Sequence, residues 1–224
     1  MLNLAKSYEF FKPEQIRERI HIIGCGSVGS SVAELLVRYG LTKIALYDFD
    51  IVESKNLTNQ LYRQEHVGKA KVLALGDMLH EINPDINRSL EIDSKGYQDH
   101  KLSGYVFLCV DNIELRRNIT RTNKNNPYIR AVFDFRTRLT DAQHYAADWA
   151  DINMVDGFLN SMNFTHEDAK SETPKSACNV TLSVAPTIRI ICSLGVSNFI
   201  NFTKGEKLRK FIQIDTKSYL LDVF

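Results

Sequence analysis

No stretch of this 224-residue chain approaches the roughly 18 consecutive apolar residues of a membrane-spanning helix. The opening residues, MLNLAKSYEFFKPEQ, carry Lys, Glu and Pro in place of the apolar run of a secretory signal. A cytoplasmic protein without a membrane partner is the expectation. An excess of one charge is missing too: 28 Lys and Arg stand against 27 Asp and Glu, which removes any general electrostatic case for nucleic acid. Any anion site must be local. Nor is there a CxxC pair to supply half of a tetrahedral zinc site, and Cys25, Cys109, Cys178 and Cys192 read as scattered free thiols. A chain of this length buries a core without disulfides or structural metal.

What is present is an alternation of strands and helices. Residues 20–29, IHIIGCGSVG, run from a short apolar strand into a glycine turn, and Val32, Leu35, Leu36 and Tyr39 follow at helical spacing up to a stop at Gly40. KIALYDFDIV reads as a second buried strand, completing a right-handed β-α-β unit. From Val67 a helical pattern continues to Asn83-Pro84, and INRSLEID reads as a strand. GYVFLCVD and YIRAVFDF supply two more strands around the helical IELRRNITRTNK. Residues 137–177 are polar and weakly periodic, and read as a long excursion with one hairpin and a mobile crossover. VAPTIRIICSLGVSNFINF has helix length, and KFIQIDTKSYLLDVF reads as edge strands. The pattern predicts an α/β fold: a doubly wound, mostly parallel Rossmann-like sheet with a C-terminal antiparallel extension.

Gly24, Gly26 and Gly29 form GxGxxG between strand and helix, where bare backbone and free helix N–H groups suit a phosphate. That turn serves NAD, FAD and ATP alike, and a close-packed turn without a ligand is its bland alternative. Asp48 ends the second strand where a carboxylate can accept from ribose hydroxyls, and Asp50 alternates to the same side. A solvated strand end is the alternative for both.

The polar loop that follows narrows the choice. DxDxVxxxNLxxQ at 48–60, then VGKxK at 67–71, resembles the ATP-binding segment of the ThiF/MoeB-like adenylyltransferases, which are related to the adenylation domains of ubiquitin-activating enzymes. CVDNIELRR at 109–117 extends the resemblance, and SACNVTLSVAPTIRIICSLGVSNFINFTKG resembles the family's cysteine, proline and long helix more weakly. The resemblance implies one adenylation unit over 1–224, with a nucleotide-binding half at about 10–136, a crossover at about 137–177, and a C-terminal helix and strands at 178–224.

It further implies ATP and Mg2+ as cofactors, and adenylation of the C-terminal carboxylate of a small ubiquitin-like or sulfur-carrier protein or peptide, with release of pyrophosphate. A homodimer belongs to the same expectation. Lys71 matches the catalytic lysine, Asp111 the magnesium-associated aspartate, and Asn56 and Gln60 the polar residues of the nucleotide loop. Asn59 stands where the family usually has arginine; Arg63, or Arg116 or Arg117, is a candidate replacement cation. Cys178 aligns with a cysteine that in some relatives bonds the carrier covalently, although isolated cysteines are more often buried packing residues. Two other classes stay open: an inactive nucleotide-binding subunit or regulator of the same fold, and an NAD-dependent oxidoreductase.

Overall fold

The computed structural model describes residues 2–171, 174, 177 and 182–224. The first five strands along the chain are parallel: β1 (Ile20–Ile23), β2 (Ile44–Tyr47), β3 (Glu91–Asp93), β4 (Gly104–Leu108) and β5 (Ile129–Thr137). Three antiparallel strands complete the sheet: β6 (Asp141–Asp148), β7 (Phe211–Asp215) and β8 (Leu220–Val223). The order across it is β3-β2-β1-β4-β5-β6-β7-β8. The chain therefore winds one way from β1 to β3 and the other way from β4 onward, which leaves a switch point between β1 and β4. Open α/β sheets bind ligands at the carboxyl ends of the strands flanking such a point.

Strands β1, β2 and β4 are apolar at nearly every position because helices cover both of their faces. On one face α1 (Ser27–Arg38), α2 (Lys71–Ile82) and α6 (Ala185–Thr203) bury Val32, Leu36, Leu75, Leu79 and Phe199 against Ile22, Leu46 and Phe107. On the other, α3 (Ile113–Thr122) and α4 (Ile152–Asn160) pack Ile119, Val155 and Phe158 against Ile23, Val106 and Val132. Helix α1 stops where Gly40 takes φ +87°, and α2 stops at Asn83 ahead of Pro84. Pro186 sits in the first turn of α6, where its missing N–H is harmless.

Three expectations need correction. The helical pattern from Val67 begins at Lys71, because residues 67–70 pair with the chain leaving β2: Ile51 bridges Ala70, and Gly68 N–H donates to Val52 O at 2.9 Å. The strand expected over 86–93 is short, since Pro84–Arg88 closes a 3-10 turn and only Glu91–Asp93 joins the sheet. Residues 137–171 are more regular than a long excursion: β6 turns back on β5 as the expected hairpin, and α4 and the short helix α5 (His166–Ser171) follow it. Small Ala142, Ala146 and Ala147 and a fully buried His144 fill the inward positions of β6, so its burial pattern carries no large apolar alternation. Cys178 lies outside the described residues.

Candidate functional site

The glycine turn between β1 and α1 is fixed largely by the chain's own packing. Gly24 has φ +94°, and a Cβ there would lie 2.8 Å from the backbone of Cys109 and Val110. A Cβ on Gly29 would stand 1.8 Å from Gly24 O. Gly26 differs: nothing lies within 4 Å of the Cβ it lacks. Its bare face opens into a cleft of about 400 Å3 at the switch point, lined also by Asp48, Asp50, Gln60, Lys71 and Asp111.

Two strand ends supply the acids. The Asp48 carboxylate accepts from Cys25 N–H at 2.6 Å and from Asp50 N–H at 2.8 Å, one bond on each oxygen, so both oxygens keep a lone pair for a further donor. Burial pushes this carboxyl above its ordinary range, and those two amides oppose the rise. Asp111, just beyond β4, is exposed on the cleft, while its neighbour Asn112 caps α3 by accepting from the N–H groups of Glu114 and Leu115. Capping of α3 thus falls to Asn112, which leaves the Asp111 carboxylate available to a cation.

Lys71 opens α2 with its side chain 8% exposed, and its ammonium lies 2.7 Å from Asp50 Oδ2. The hydroxyl of buried Tyr62 sits 2.6 Å from Cys25 O and 3.2 Å from Lys71 O, tying the glycine turn to the start of α2. Gln60 lines the cleft with its Oε1 buried and without a partner in the chain. Asn56 is buried behind it: its Oδ1 accepts from Glu53 N–H at 2.9 Å, and its carbonyl accepts from Gln60 N–H at 2.9 Å. Asn56 thus shapes the loop that presents Gln60.

The candidate replacement arginines are engaged elsewhere. Arg63 does not line the cleft and pairs with Glu81 at 3.3 Å and Glu65 at 3.6 Å. Arg116 is buried, bonded to Val110 O and Phe135 O and, at 2.6 Å, to Asp134. Arg117 donates to Met162 O and Phe164 O. Lys71 and Lys95 are the cationic side chains among the described lining residues. Cys25 and Cys109 are buried, and burial holds both thiols well above their ordinary range, as suits packing residues.

No motif marks the wall formed by Lys95, Gly96, Tyr97 and Gln98 after β3. Only its position could have flagged it: a loop at the carboxyl end of the strand beside the Asp48 strand.

The sequence model of the ThiF family matches residues 12–222. The chain belongs to the ThiF family. Among curated relatives, "Ubiquitin-like modifier-activating enzyme 5" of Drosophila virilis is 32% identical over 143 residues, 56% of this chain and 34% of that protein. Its counterpart from Caenorhabditis briggsae is 43% identical over 120 residues, 46% of this chain and 28% of that protein. The ThiF chain thus spans about a third of the length of these relatives. Among solved structures, E. coli MccB with ATP aligns at TM-score 0.68 and 19% identity, covering 95% of this chain and 65% of that one. PaaA aligns at TM-score 0.69 and 15% identity, with the same coverage. These two likenesses show the ThiF-type fold. Among the described residues of this ThiF protein no helix is long and apolar enough to cross a membrane.

Proposed function

We propose that this ThiF-family chain binds ATP with Mg2+ in the cleft and transfers AMP to the C-terminal carboxylate of a small ubiquitin-like or sulfur-carrier protein or a peptide, releasing pyrophosphate. The observation that carries the reading is convergence: open backbone at Gly26, the ribose-competent Asp48, Lys71 and the available Asp111 share one cleft at the switch point. The relatives are named as ubiquitin-like modifier-activating enzymes, and MccB has been solved with ATP and with the peptide MccA.

The reaction needs in-line attack of a carboxylate on the α-phosphorus and neutralisation of the charge growing on the phosphates. Gly26 and the N-terminus of α1 offer N–H groups to those phosphates, and Asp48 accepts from the ribose hydroxyls through its remaining lone pairs. Lys71 is the cation for the phosphates, and to reach them its ammonium exchanges Asp50 for a phosphate oxygen. Asp111 fits a magnesium ion, which takes one or two carboxylates alongside substrate phosphates and supplies charge neutralisation when bound. Gln60 Oε1 meets a donor from the ligand or its hydration shell. Cys178 remains the proposed point of any later covalent transfer, and a homodimer the proposed assembly.

The decisive experiment is calorimetric titration with ATP plus Mg2+ and, separately, with NAD, followed by pyrophosphate exchange with candidate carriers. Micromolar ATP binding that is lost in Lys71→Ala supports the assignment. NAD binding without ATP binding overturns it in favour of redox chemistry. A nucleotide-binding subunit without transferase activity is the second reading. It is favoured by Asn59 in place of arginine and by Arg63 lying outside the cleft, and ATP binding without exchange on any carrier would establish it.

A further inference from the structure

The three loops that follow β1, β2 and β3 step across the sheet in order, presenting Gly26, then Asp48, then the wall at 95–98. Adjacent strands lie about 4.8 Å apart, so this series spans phosphate, ribose and base of one nucleotide. The wall adjoins the ribose position, since Asp48 N–H donates to Asp93 O at 3.2 Å. It also offers flat apolar surface: Tyr97 lines the cleft, and Phe49, 76% exposed, also lines it, packed so closely over Gly96 that a Cβ there would be 3.0 Å from Phe49 Cδ1.

One residue braces the wall. His100 lies 2.8 Å from Asp93 Oδ2 through Nε2 and accepts from Gln98 N–H at 3.1 Å through Nδ1, which makes Nε2 the protonated nitrogen. Its carbonyl accepts from the Tyr97 hydroxyl at 3.1 Å. The other Asp93 oxygen accepts from Lys95 N–H at 2.8 Å. This cross-bracing holds a turn with two left-handed residues, Gly96 at φ +77° and Asp99 at φ +49°, residue types that adopt this conformation more readily than most. Packing of His100 on Tyr47, with ring centroids 4.8 Å apart, anchors the brace to β2.

We propose that His100 is a positioning residue for nucleotide selection: through Tyr97 and Gln98 it holds the wall at 95–98 in the shape that accepts a purine base. The inference rests on the nucleotide reading of the cleft.

The test is the ratio of ATP to CTP affinity, each titrated with Mg2+ into the full chain, for wild type, His100→Ala, His100→Gln and Asp93→Asn. Wild type is expected to prefer ATP. His100→Ala and Asp93→Asn reduce that preference by about tenfold, which corresponds to about 1.4 kcal/mol of discrimination. Glutamine at 100 can donate and accept as the imidazole does, so His100→Gln retains most of the preference. A merely structural role weakens both nucleotides in proportion, so an unchanged ratio in His100→Ala overturns the proposal, as does a wild type without purine preference. Should His100→Ala fail to fold, Tyr97→Phe removes one brace bond and is read by the same ratio. A wild type that binds neither nucleotide overturns the nucleotide reading itself.

Discussion

Lys71 is bound to Asp50 twice: its ammonium lies 2.7 Å from the carboxylate, and its backbone N–H donates to the Asp50 carbonyl at 2.9 Å. The lysine side chain is 8% exposed and the aspartate side chain 51%, so the two partners depend on the bond unequally. Without Asp50 a buried ammonium loses its counter-charge; without Lys71 a half-exposed carboxylate turns to water.

Asp50→Ala is therefore expected to cost about 1–2 kcal/mol of stability, less than a fully buried pair because Asp50 is half solvated. Lys71→Ala should cost less while removing nucleotide affinity. Urea denaturation of both variants, with ATP titration of each, checks the asymmetry; equal destabilisation would refute it.

The glycines of the turn should separate folding from binding. Gly29→Ala forces a Cβ against Gly24 O and is expected to cost about 3 kcal/mol or prevent folding. Gly26→Ala meets open space, so its melting temperature should stay near wild type while ATP affinity falls. Thermal unfolding and calorimetry together read the two effects.

Asp134 is fully buried between Arg116 at 2.6 Å and Arg136 at 2.7 Å, and Arg136 also binds Ser161 and stacks on Tyr145. This group ties the ends of β4 and β5 to the close of α4. Asp134→Ala leaves two guanidinium groups without their shared anion, one of them buried, and should cost about 3–5 kcal/mol in denaturant unfolding. A loss under 1 kcal/mol would show the arginines satisfied by their carbonyl contacts alone.

Stability should fall in mild acid through two histidines. Burial lowers the imidazoles of His21 and His144 to about 4, below the ordinary value near 6.5. The unfolded chain binds these protons first as pH drops, so their contribution is complete above about pH 6.5 and is lost toward pH 4. The slope approaches about 1.4 kcal/mol per pH unit for each histidine. His144 is also held between Asp134 O and Asn198. His144→Gln can keep such bonds without titrating and is expected to flatten the slope measured by urea midpoints between pH 4 and 7.

The parallel sheet and its antiparallel extension were legible in the sequence, and so was the gathering of polar residues at one edge of it. Gly26 and Asp48 stand out from the glycine turn and its neighbouring strand end, and Gln60, Lys71 and Asp111 from the family resemblance; all five line one cleft, because strand ends and the loops after them are local properties of the chain. Arg63 lies close to Gln60 in sequence, but its pairing with Glu81 depends on where α2 runs. Strand β6 was hidden because alanines and His144 fill its inward positions. The Arg116–Asp134–Arg136 group carries no sequence signal, since burial of charge is decided by partners distant in sequence. The brace around His100 carries no motif at all.

Gly24 and Gly29 are demanded by the folded backbone, and Gly26 is not. Selection for a stable chain would therefore preserve the outer two in a descendant that had abandoned its ligand, while the middle position drifted toward larger residues. Scored as three equal letters, the fingerprint blurs ancestry with present use. In relatives of this protein, the middle letter is the one that records whether the cleft is still occupied during the life of the cell.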